Sequence, residues 1–380
     1  MSERPRLASV SFRASRVLLW CDTTSRQTFE TGIQRVTRRL GAGLSSLGVD
    51  LVMVGWDRRQ RLAIDLASRS PVVAEPGRDT WFLLPEIPAS TLHEGIDPIQ
   101  LGRALGLRTA AIVHDLIPLK RPQDYDEAAL QGYRRYFPML AGADRIFTTT
   151  QGVARDFRLH VTAGVRKAPD VRTVPLPAQF AATTRGEAGS PDEAGQPLRL
   201  LTVSTWEPRK NLCGLLRAVR RAAEEGRRIH LTLVGRRGSF PAHDAAILDL
   251  LAGMPYATAR DRTTDPELAL LHADHHATVY PSIEEGFGLP VLESLWLGRP
   301  CLCHEGSAMA EVAPGGGTVL VDMRDEAAVA AALTRLAADP DTLGSLATEI
   351  RARPLRDWSD YARDIAAQLD LTTGSGPSSD

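Results

Sequence analysis

The sequence predicts an α/β protein made of two doubly wound domains, each with a mainly parallel sheet. Short apolar runs alternate with stretches of helical periodicity along most of the chain. A length of 380 residues is long for one domain and typical of two. Residues 178–197 are small and polar, with interspersed glycine and proline. We therefore expect one domain on each side of a mobile linker.

The first half opens with a predicted strand over 16–22, followed by a helix whose apolar stripe runs from 33 to 47. Thr31 is a plausible N-cap of this helix, and Gly32 would let a ligand approach the backbone. The loop is therefore either a binding loop or simply the start of a capped helix. Further strands are predicted over 51–54, 81–84, 109–113 and 144–149, and helices over 126–140 and from 150 onward.

A histidine and an aspartate, His114 and Asp115, directly follow the strand predicted over 109–113. The carboxyl ends of parallel strands are where α/β sheets bind ligands. This position favours a functional role over the alternative of a structural histidine that caps a turn.

The second half repeats the alternation. Strands are predicted over 198–203, 231–235, 277–280, 300–303 and 318–321, and helices over 211–223, 265–273, 325–337, 342–352 and 358–369. The tail from 372 to 380 is expected to be disordered.

Composition excludes several classes of protein. The net charge is −1, so no basic field indicates a nucleic-acid partner. The chain shows no long apolar span and no secretory signal, and its four cysteines show no metal-binding spacing. We expect a reduced, cytoplasmic protein. His272 and His276 are spaced like metal ligands, but no glutamate lies between them in the usual zinc pattern, so we expect no metal site.

The segment from 280 to 293 has the layout of an anion-binding site. An apolar strand ends at Tyr280, a loop containing Ser282, Gly286, Phe287 and Gly288 follows, and Leu289 with Pro290 opens a helix. Glu285 and Glu293 add two carboxylates. Phosphates need hydrogen-bond donors and sugar hydroxyls need acceptors, so the combination predicts a nucleotide-sugar site.

A second cluster lies between the strand over 198–203 and the next helix. Arg209 and Lys210 precede a helix start that Asn211 could cap, and two cations beside a helix N-terminus suit a diphosphate. The alternative is a solvated charge pair on a loop. Ser204 and Gly235 lie where two strands of this half end.

These motifs together resemble the family 4 retaining glycosyltransferases of the GT-B fold. The resemblance rests on the stretches 207–211, 233–235 and 281–293, on Glu311, and in the first half on 31–35 with His114 and Asp115. One departure is that Ser204 and Thr205 stand where many members have an arginine; Arg209 would then supply that charge.

The resemblance implies two Rossmann-like domains facing across a cleft. Residues 1–177 would form the acceptor domain and 198–356 the nucleotide-sugar domain, with a helix over about 357–370 packing back on the first. The implied catalytic residues are Arg209, Lys210, Glu285 and His114. The implied donor-binding residues are Gly32, Ser204, Gly235, Ser282, Gly286, Phe287, Gly288, Leu289 and Glu293, and the acceptor-side residues are Asp115, Thr31 and Arg35.

The resemblance further implies metal-independent transfer with anomeric retention and no cofactor. Mannose from GDP-mannose is the preferred donor, with UDP-, dTDP- or GDP-deoxyhexose donors as alternatives. A saccharide or a polyprenyl-diphosphate-linked saccharide is the expected acceptor. The alternative from another functional class is a module that binds a nucleotide sugar without catalysing transfer.

Basic residues on two predicted helices leave open whether the protein docks on a membrane surface. Arg35, Arg38 and Arg39 lie on one helix, and Arg134 and Arg135 on another. They predict either a solvated charged face or peripheral docking on the anionic inner face of the membrane, where a polyprenyl-linked acceptor would lie.

Overall fold

The computed structural model describes residues 15–27, 31–75, 79–187, 196–261 and 263–372. Within them the chain forms two sheets, one in each half, flanked by helices. No helix in these ranges is long and apolar enough to cross a membrane.

The first domain contains a seven-stranded sheet in the order β3-β2-β1-β4-β5-β6-β7, in which only β3 is antiparallel to its neighbour. Its strands are β1 (Arg16–Trp20), β2 (Asp50–Asp57), β3 (Leu62–Asp65), β4 (Thr80–Leu84), β5 (Arg108–Val113), β6 (Arg145–Thr148) and β7 (Asp170–Thr173). Its helices are α1 (Asp22–Arg26), α2 (Gly32–Ser46), α3 (Ala89–Leu92), α4 (Pro98–Ala104), α5 (Ile117–Lys120), α6 (Glu127–Leu140) and α7 (Gln151–His160), with a 3-10 turn at Pro122–Asp124.

The second domain contains a six-stranded parallel sheet in the order β10-β9-β8-β11-β12-β13. Its strands are β8 (Leu198–Val203), β9 (Ile229–Val234), β10 (Ala257–Arg260), β11 (Ala277–Tyr280), β12 (Cys301–His304) and β13 (Thr318–Val321). Its helices are α8 (Leu212–Glu224), α9 (Pro241–Ala252), α10 (Asp265–Asp274), α11 (Leu289–Trp296), α12 (Met309–Val312), α13 (Glu326–Ala338) and α14 (Pro340–Ala352), with a 3-10 turn at Pro208–Lys210. The last helix is α15 (Trp358–Gln368).

Local sequence explains where the helices begin. The Asp126 carboxylate accepts from the Ala129 N–H at the start of α6, and the Thr150 hydroxyl accepts from the Val153 N–H at the start of α7. The opening strand is shorter than predicted. It ends at Trp20 because the buried Asp22 carboxylate accepts from the Trp56 N–H and from Arg26, which starts α1 there.

The last helix, α15, packs on the first domain. A Cβ on Gly43 of α2 would lie 2.5 Å from the Ala362 Cβ, and the Trp81 indole donates to the Leu369 carbonyl at 2.8 Å. The tail prediction was wrong at its first residue, because the Ser15 N–H donates to the Thr372 hydroxyl at 3.0 Å. Residues 373–380 lie outside the described residues.

The expectation of a mobile linker was wrong for its first part. Phe180 is fully buried in an apolar core that contains side chains of both domains, and the Gly186 N–H donates to the Trp296 carbonyl at 2.8 Å. Apolar residues within a polar stretch explain the difference, since they bury against α11 and α15. Residues 188–195 lie outside the described residues.

Candidate active site

The candidate site is organised around the carboxylate of Glu285, in the loop after β11. One of its oxygens, Oε1, accepts from four groups: Arg209 at 2.9 Å, Lys210 at 2.5 Å, Ser282 at 2.5 Å and the Tyr280 hydroxyl at 2.8 Å. The Lys210 ammonium also donates to the Tyr280 hydroxyl at 3.0 Å. The carboxyl ends of β8 and β11 therefore bring the two predicted clusters into direct contact.

The turn after β8 aims both cations at this carboxylate. Pro208 opens a 3-10 turn, and Asn211 then adopts a left-handed conformation with φ of 50°. The Ile283 N–H donates to the Arg209 carbonyl at 3.0 Å and ties the turn to the Glu285 loop. The predicted cap by Asn211 was wrong, because its side chain donates to the Met323 carbonyl instead.

Charge neutralisation keeps Glu285 ionised despite its burial. Burial by itself would raise its pKa, but Lys210 and Arg209 lower the pKa of Glu285 to about 2. The alternative of a solvated charge pair is wrong for Lys210, which is only 8% accessible because Glu285 and Tyr280 cover it. Arg209 also pairs with Glu207 at 2.9 Å, yet its Nε is buried without a hydrogen-bond partner in the described part of the chain.

Two predicted residues of the first domain face this centre. The His114 Nε2 lies 2.8 Å from the Pro85 carbonyl, and burial lowers the pKa of His114, so its imidazole is neutral at pH 7. Asp115 accepts from the Ile117 N–H at 3.0 Å. Burial raises the pKa of Asp115, while the charge of Arg209 acts in the opposite direction.

Glycine is required where the two domains meet. A Cβ on Gly286 would lie 1.9 Å from the His114 carbonyl oxygen, a distance that no side chain permits. The Thr149 hydroxyl donates to the carbonyls of Gly286 at 2.9 Å and His114 at 3.1 Å. The glycine loop of the second domain thus packs directly on the end of β5.

The side chains of the remaining residues in the Glu285 loop point in different directions. The Phe287 side chain is buried in the shared apolar core, so the predicted donor contact of this residue rests on its N–H. Ser282 is fully buried and points at Glu285. Gly288 is the N-cap of α11, and a Cβ on Gly32 would lie 3.6 Å from Leu289 across the cleft.

The second predicted carboxylate, Glu293, already has a cationic partner. Arg35 of the first domain lies 2.5 Å from Glu293 and 3.2 Å from Asp265, and its guanidinium lies over the Phe180 ring. The assignment of Arg35 to the acceptor side is therefore corrected: α2 directs it into the predicted donor pocket. Thr31, at the start of the same helix, is exposed, and its N–H donates to Gln34.

The cleft is closed in this structure. Lys120 pairs with Glu284 at 2.7 Å, and the Glu311 carboxylate accepts from the N–H groups of Gln151 and Gly152, both at 2.7 Å, at the N-terminus of α7. The cavity beside Glu293 has a volume of about 10 Å³, room for about one water. This cavity is too small for a nucleotide, so it must widen before one can bind.

Ser204 and Gly235 lie side by side where β8 and β9 end. A Cβ on Gly235 would lie 1.8 Å from the Ser204 carbonyl oxygen, so only glycine permits this approach. The Ser204 hydroxyl donates to the Thr205 carbonyl at 3.1 Å. Ser204 lies five residues before Arg209 along the chain, whereas Gly235 follows the next strand, and neither residue hydrogen-bonds to Glu285.

Sequence reasoning missed several residues that hold this centre together. Tyr280 closes β11, Glu207 neutralises Arg209, and Ser307, at φ of 57°, accepts from the Glu285 N–H at 3.0 Å. Glu311 was noted only as part of the family pattern. The position of Tyr280 directly before the glycine loop was the available signal for that residue; the other contacts depend on tertiary packing.

The three neighbouring histidines are bound to protein groups. A ring nitrogen of His272 lies 2.8 Å from the Leu268 carbonyl, His275 contacts Thr232 at 2.9 Å, and His276 accepts from the Arg199 N–H. Among the described residues, no group of three or more His, Cys, Asp or Glu side chains could hold a metal ion.

The basic face predicted for α2 is not a free surface. Arg35 lies in the cleft, and Arg38 donates to the carbonyls of Thr24 and Gln27. On α6, Arg134 pairs with Glu127, and Arg135 donates to the Leu92 carbonyl. The side chains of Arg35 and Arg38 are therefore bound to protein groups, and docking on a membrane stays a prediction.

A buried carboxylate, Glu86, supports the first domain just after β4. It accepts from the N–H groups of Thr23 and Thr24, both at 2.7 Å. Burial raises the pKa of Glu86 to about 7, although these hydrogen bonds favour the ionised form.

Comparisons with known proteins agree with this geometry. Residues 197–339 match the family described as glycosyl transferases group 1. The serotype-specific mannosyltransferase WbdA of Escherichia coli is 27% identical over 331 residues, covering 78% of this chain and 38% of that protein. The O-antigen chain mannosyltransferase B of Escherichia coli is 37% identical over 135 residues, about a third of each chain. The chain thus spans about two fifths of the length of the first of these relatives.

Solved structures share the whole architecture. The sucrose-phosphate synthase of Thermosynechococcus elongatus superposes with a TM-score of 0.69 at 18% identity, covering 94% of this chain and 98% of the other. Anabaena HepE, solved in complex with UDP and glucose, gives 0.64 at 12% identity, covering 94% and 99%. The predicted two-domain GT-B fold is confirmed.

Proposed function

We propose that this chain is a family 4-like glycosyltransferase of the GT-B fold, and that it transfers a hexose from a nucleotide sugar to a saccharide acceptor in polysaccharide synthesis. The observation that carries the proposal is the convergence of Arg209, Lys210 and Glu285 at the strand ends that face the first domain.

The cations are proposed to receive the leaving diphosphate. Breaking the anomeric C–O bond builds negative charge on the diphosphate, and preorganised cations stabilise such charge most effectively in a dry site. Arg209 and Lys210 are paired with Glu285, and the buried Arg209 Nε is a donor without a partner in the described residues. An incoming diphosphate would compete with Glu285 for both cations. The Gly32 loop faces Leu289 and would add backbone donors.

The carboxylates are proposed to receive sugar hydroxyls. Release from Lys210 and Arg209 would leave Glu285 free to accept from a hydroxyl of the donor hexose. Glu293 would accept from the ribose hydroxyls after exchanging Arg35 for them. The N–H groups of Gly286 to Leu289 would reach oxygens beside the scissile bond.

The first domain is proposed to orient the acceptor. The neutral imidazole of His114 would contact the hexose or the incoming hydroxyl, and Asp115 would accept from the acceptor. We propose anomeric retention, with an oxygen of the departing phosphate taking the acceptor's proton as the new C–O bond forms. Side chains and helix N-termini would supply the neutralisation, so no metal ion or cofactor is invoked.

Mannose from GDP-mannose is the proposed donor, supported by the mannosyltransferases among the relatives. UDP-, dTDP- and GDP-deoxyhexose donors are the alternatives. A saccharide, free or linked to polyprenyl diphosphate, is the proposed acceptor, used in the cytoplasm. Peripheral docking on the anionic inner membrane face through basic residues of α2 and α6 is part of the proposal. Flotation with anionic and neutral vesicles tests this; equal recovery with both would reject it.

A nucleotide-sugar panel tests the proposal. Thermal stabilisation and release of nucleoside diphosphate are measured for each nucleotide sugar, with and without excess EDTA. We expect GDP-mannose to stabilise the protein and to be hydrolysed in both conditions. Loss of turnover on chelation, restored by manganese or magnesium, would reject the metal-independent mechanism.

A further inference from the structure

Two tyrosines follow His114 and Asp115 on the first domain. After β5, the chain passes through α5 and the 3-10 turn at Pro122–Asp124 into α6. Tyr125 directly follows the turn, and Tyr133 lies in the second turn of α6. Their ring centroids are 5.5 Å apart with an interplanar angle of 76°, an edge-to-face contact that leaves ring surface on both residues.

The pair is anchored in the core of the domain. The Tyr133 ring stacks on Phe137 with centroids 5.9 Å apart, and Phe137 contacts Tyr136 at 5.2 Å. Phe137 and Tyr136 are 3% and 2% exposed, whereas Tyr125 and Tyr133 are half-buried. The outer rings are therefore held in place but remain accessible, as a rigid binding surface requires.

The pair is close to the candidate reaction centre. Burial raises the pKa of Tyr133 to about 12, and the charges of Asp115, Glu207 and Arg209 act on it as well. Asp115 and Arg209 also act on Tyr125. Asp115 accepts from the N–H of Ile117 at the start of α5, and α5 packs against α6, which carries Tyr133.

The chemistry of the pair matches a pyranose ring. Neither hydroxyl has a hydrogen-bond partner within the described ranges, although half-buried tyrosines usually find one. A sugar presents an apolar C–H face to aromatic rings and hydroxyls at its edge. The flanking residues Asp124, Asp126 and Glu127 are polar, which disfavours a hydrocarbon chain.

We propose that Tyr125 and Tyr133 form a subsite that stacks on the acceptor saccharide beside Asp115. This inference rests on the proposed function, because it assigns the acceptor to the same cleft. The tyrosines would position the sugar and set specificity without touching the leaving diphosphate.

The experiment measures sugar binding without turnover. Saturation-transfer NMR is recorded with methyl α-D-mannopyranoside and α-mannobiose as probes, and their affinities are obtained by titration. We expect Tyr133→Leu or Tyr125→Leu to weaken binding about three- to tenfold, in line with the loss of one aromatic contact. Tyr133→Phe and Tyr125→Phe should retain the ring contact and most of the affinity. Tyr256→Leu, at the amino end of β10, is the matched control and should leave affinity unchanged.

Donor hydrolysis separates the proposed acceptor subsite from the proposed hexosyl transfer. Tyr256→Leu should leave hydrolysis without acceptor unchanged, and the circular dichroism of every variant should match the wild type. No binding of either probe by the wild type, or equal affinities in wild type and leucine variants, would overturn the subsite while leaving hexosyl transfer standing. Absence of donor hydrolysis in the wild type would reject the proposed function instead.

Discussion

Lys210→Met removes a buried cation from a carboxylate that stays in place. The variant keeps the length of the side chain but loses the contacts of 2.5 Å to Glu285 and 3.0 Å to the Tyr280 hydroxyl. We expect the variant to lose both catalytic rate and stability.

For catalysis, the charge on the leaving diphosphate loses one of two preorganised cations. Removal of one such donor typically lowers kcat by about 10²–10³. Because the contact strengthens in the transition state, the loss should persist at saturating donor. Arg209→Met should be milder, since Arg209 shares its charge with Glu207.

For stability, removal of one partner from a buried ion pair costs about 3–5 kcal/mol. Arg209 remains 2.9 Å from Glu285, so we expect the lower end, about 3 kcal/mol, or roughly 6–12 °C in the unfolding midpoint of a domain of this size. Glu285→Gln added to Lys210→Met should restore part of the stability but none of the activity, because it removes the uncompensated charge.

Differential scanning fluorimetry and steady-state release of nucleoside diphosphate measure both effects. Arg217→Met is the control, since the Arg217–Glu326 pair on the same domain is largely exposed and should contribute less than about 1 kcal/mol. A normal kcat with only a raised KM would show that Lys210 binds the donor without stabilising the transition state. An unchanged midpoint would refute the buried pair itself.

Three further perturbations probe other parts of the site. Glu293→Ala should weaken nucleotide-sugar binding by about 1.5–3 kcal/mol, the value of hydrogen bonds to a charged group, and equal affinities in calorimetry would reject the ribose assignment. Glu311→Gln should open the cleft, since it removes a negative charge from the N-terminus of α7; small-angle X-ray scattering should show a larger radius of gyration without ligand, and an unchanged radius would count against the role of this contact. The folded-state pKa of Glu86, about 7, lies above its usual 4.5, so its contribution to stability is full below about pH 4.5 and is lost as the pH rises through about 7. Glu86→Gln should therefore flatten the decline of the unfolding midpoint between about pH 5 and about pH 8, and parallel curves for variant and wild type would contradict the raised pKa.

Local patterns predicted the architecture because strands and helices leave periodic signals. The strands β8, β11 and β13 begin and end at the predicted residues. Helix α9 and strand β10 were missed, since α9 is apolar on several faces and β10 is a short edge strand with mostly exposed side chains.

The sequence predicted which residues belong to the site but not which of them contact each other. The motif spacing indicated Arg209, Lys210 and Glu285, whereas the burial of Lys210 depends on Tyr280, which the motif did not mark as a partner. Arg35 was predicted on the acceptor side, but the packing of α2 against the second domain directs its side chain towards Glu293. Such contacts between residues distant in sequence leave no periodic signal.

Product analysis with a defined donor and acceptor tests the central claim most directly. GDP-mannose labelled at the anomeric carbon is incubated with α-mannobiose, and the product is examined by NMR in wild type and Lys210→Met. The account predicts a trisaccharide with the new linkage in the α configuration, formed at least about a hundredfold more slowly by the variant. An inverted β linkage would contradict retention, and equal rates in wild type and variant would contradict the role assigned to the cation pair.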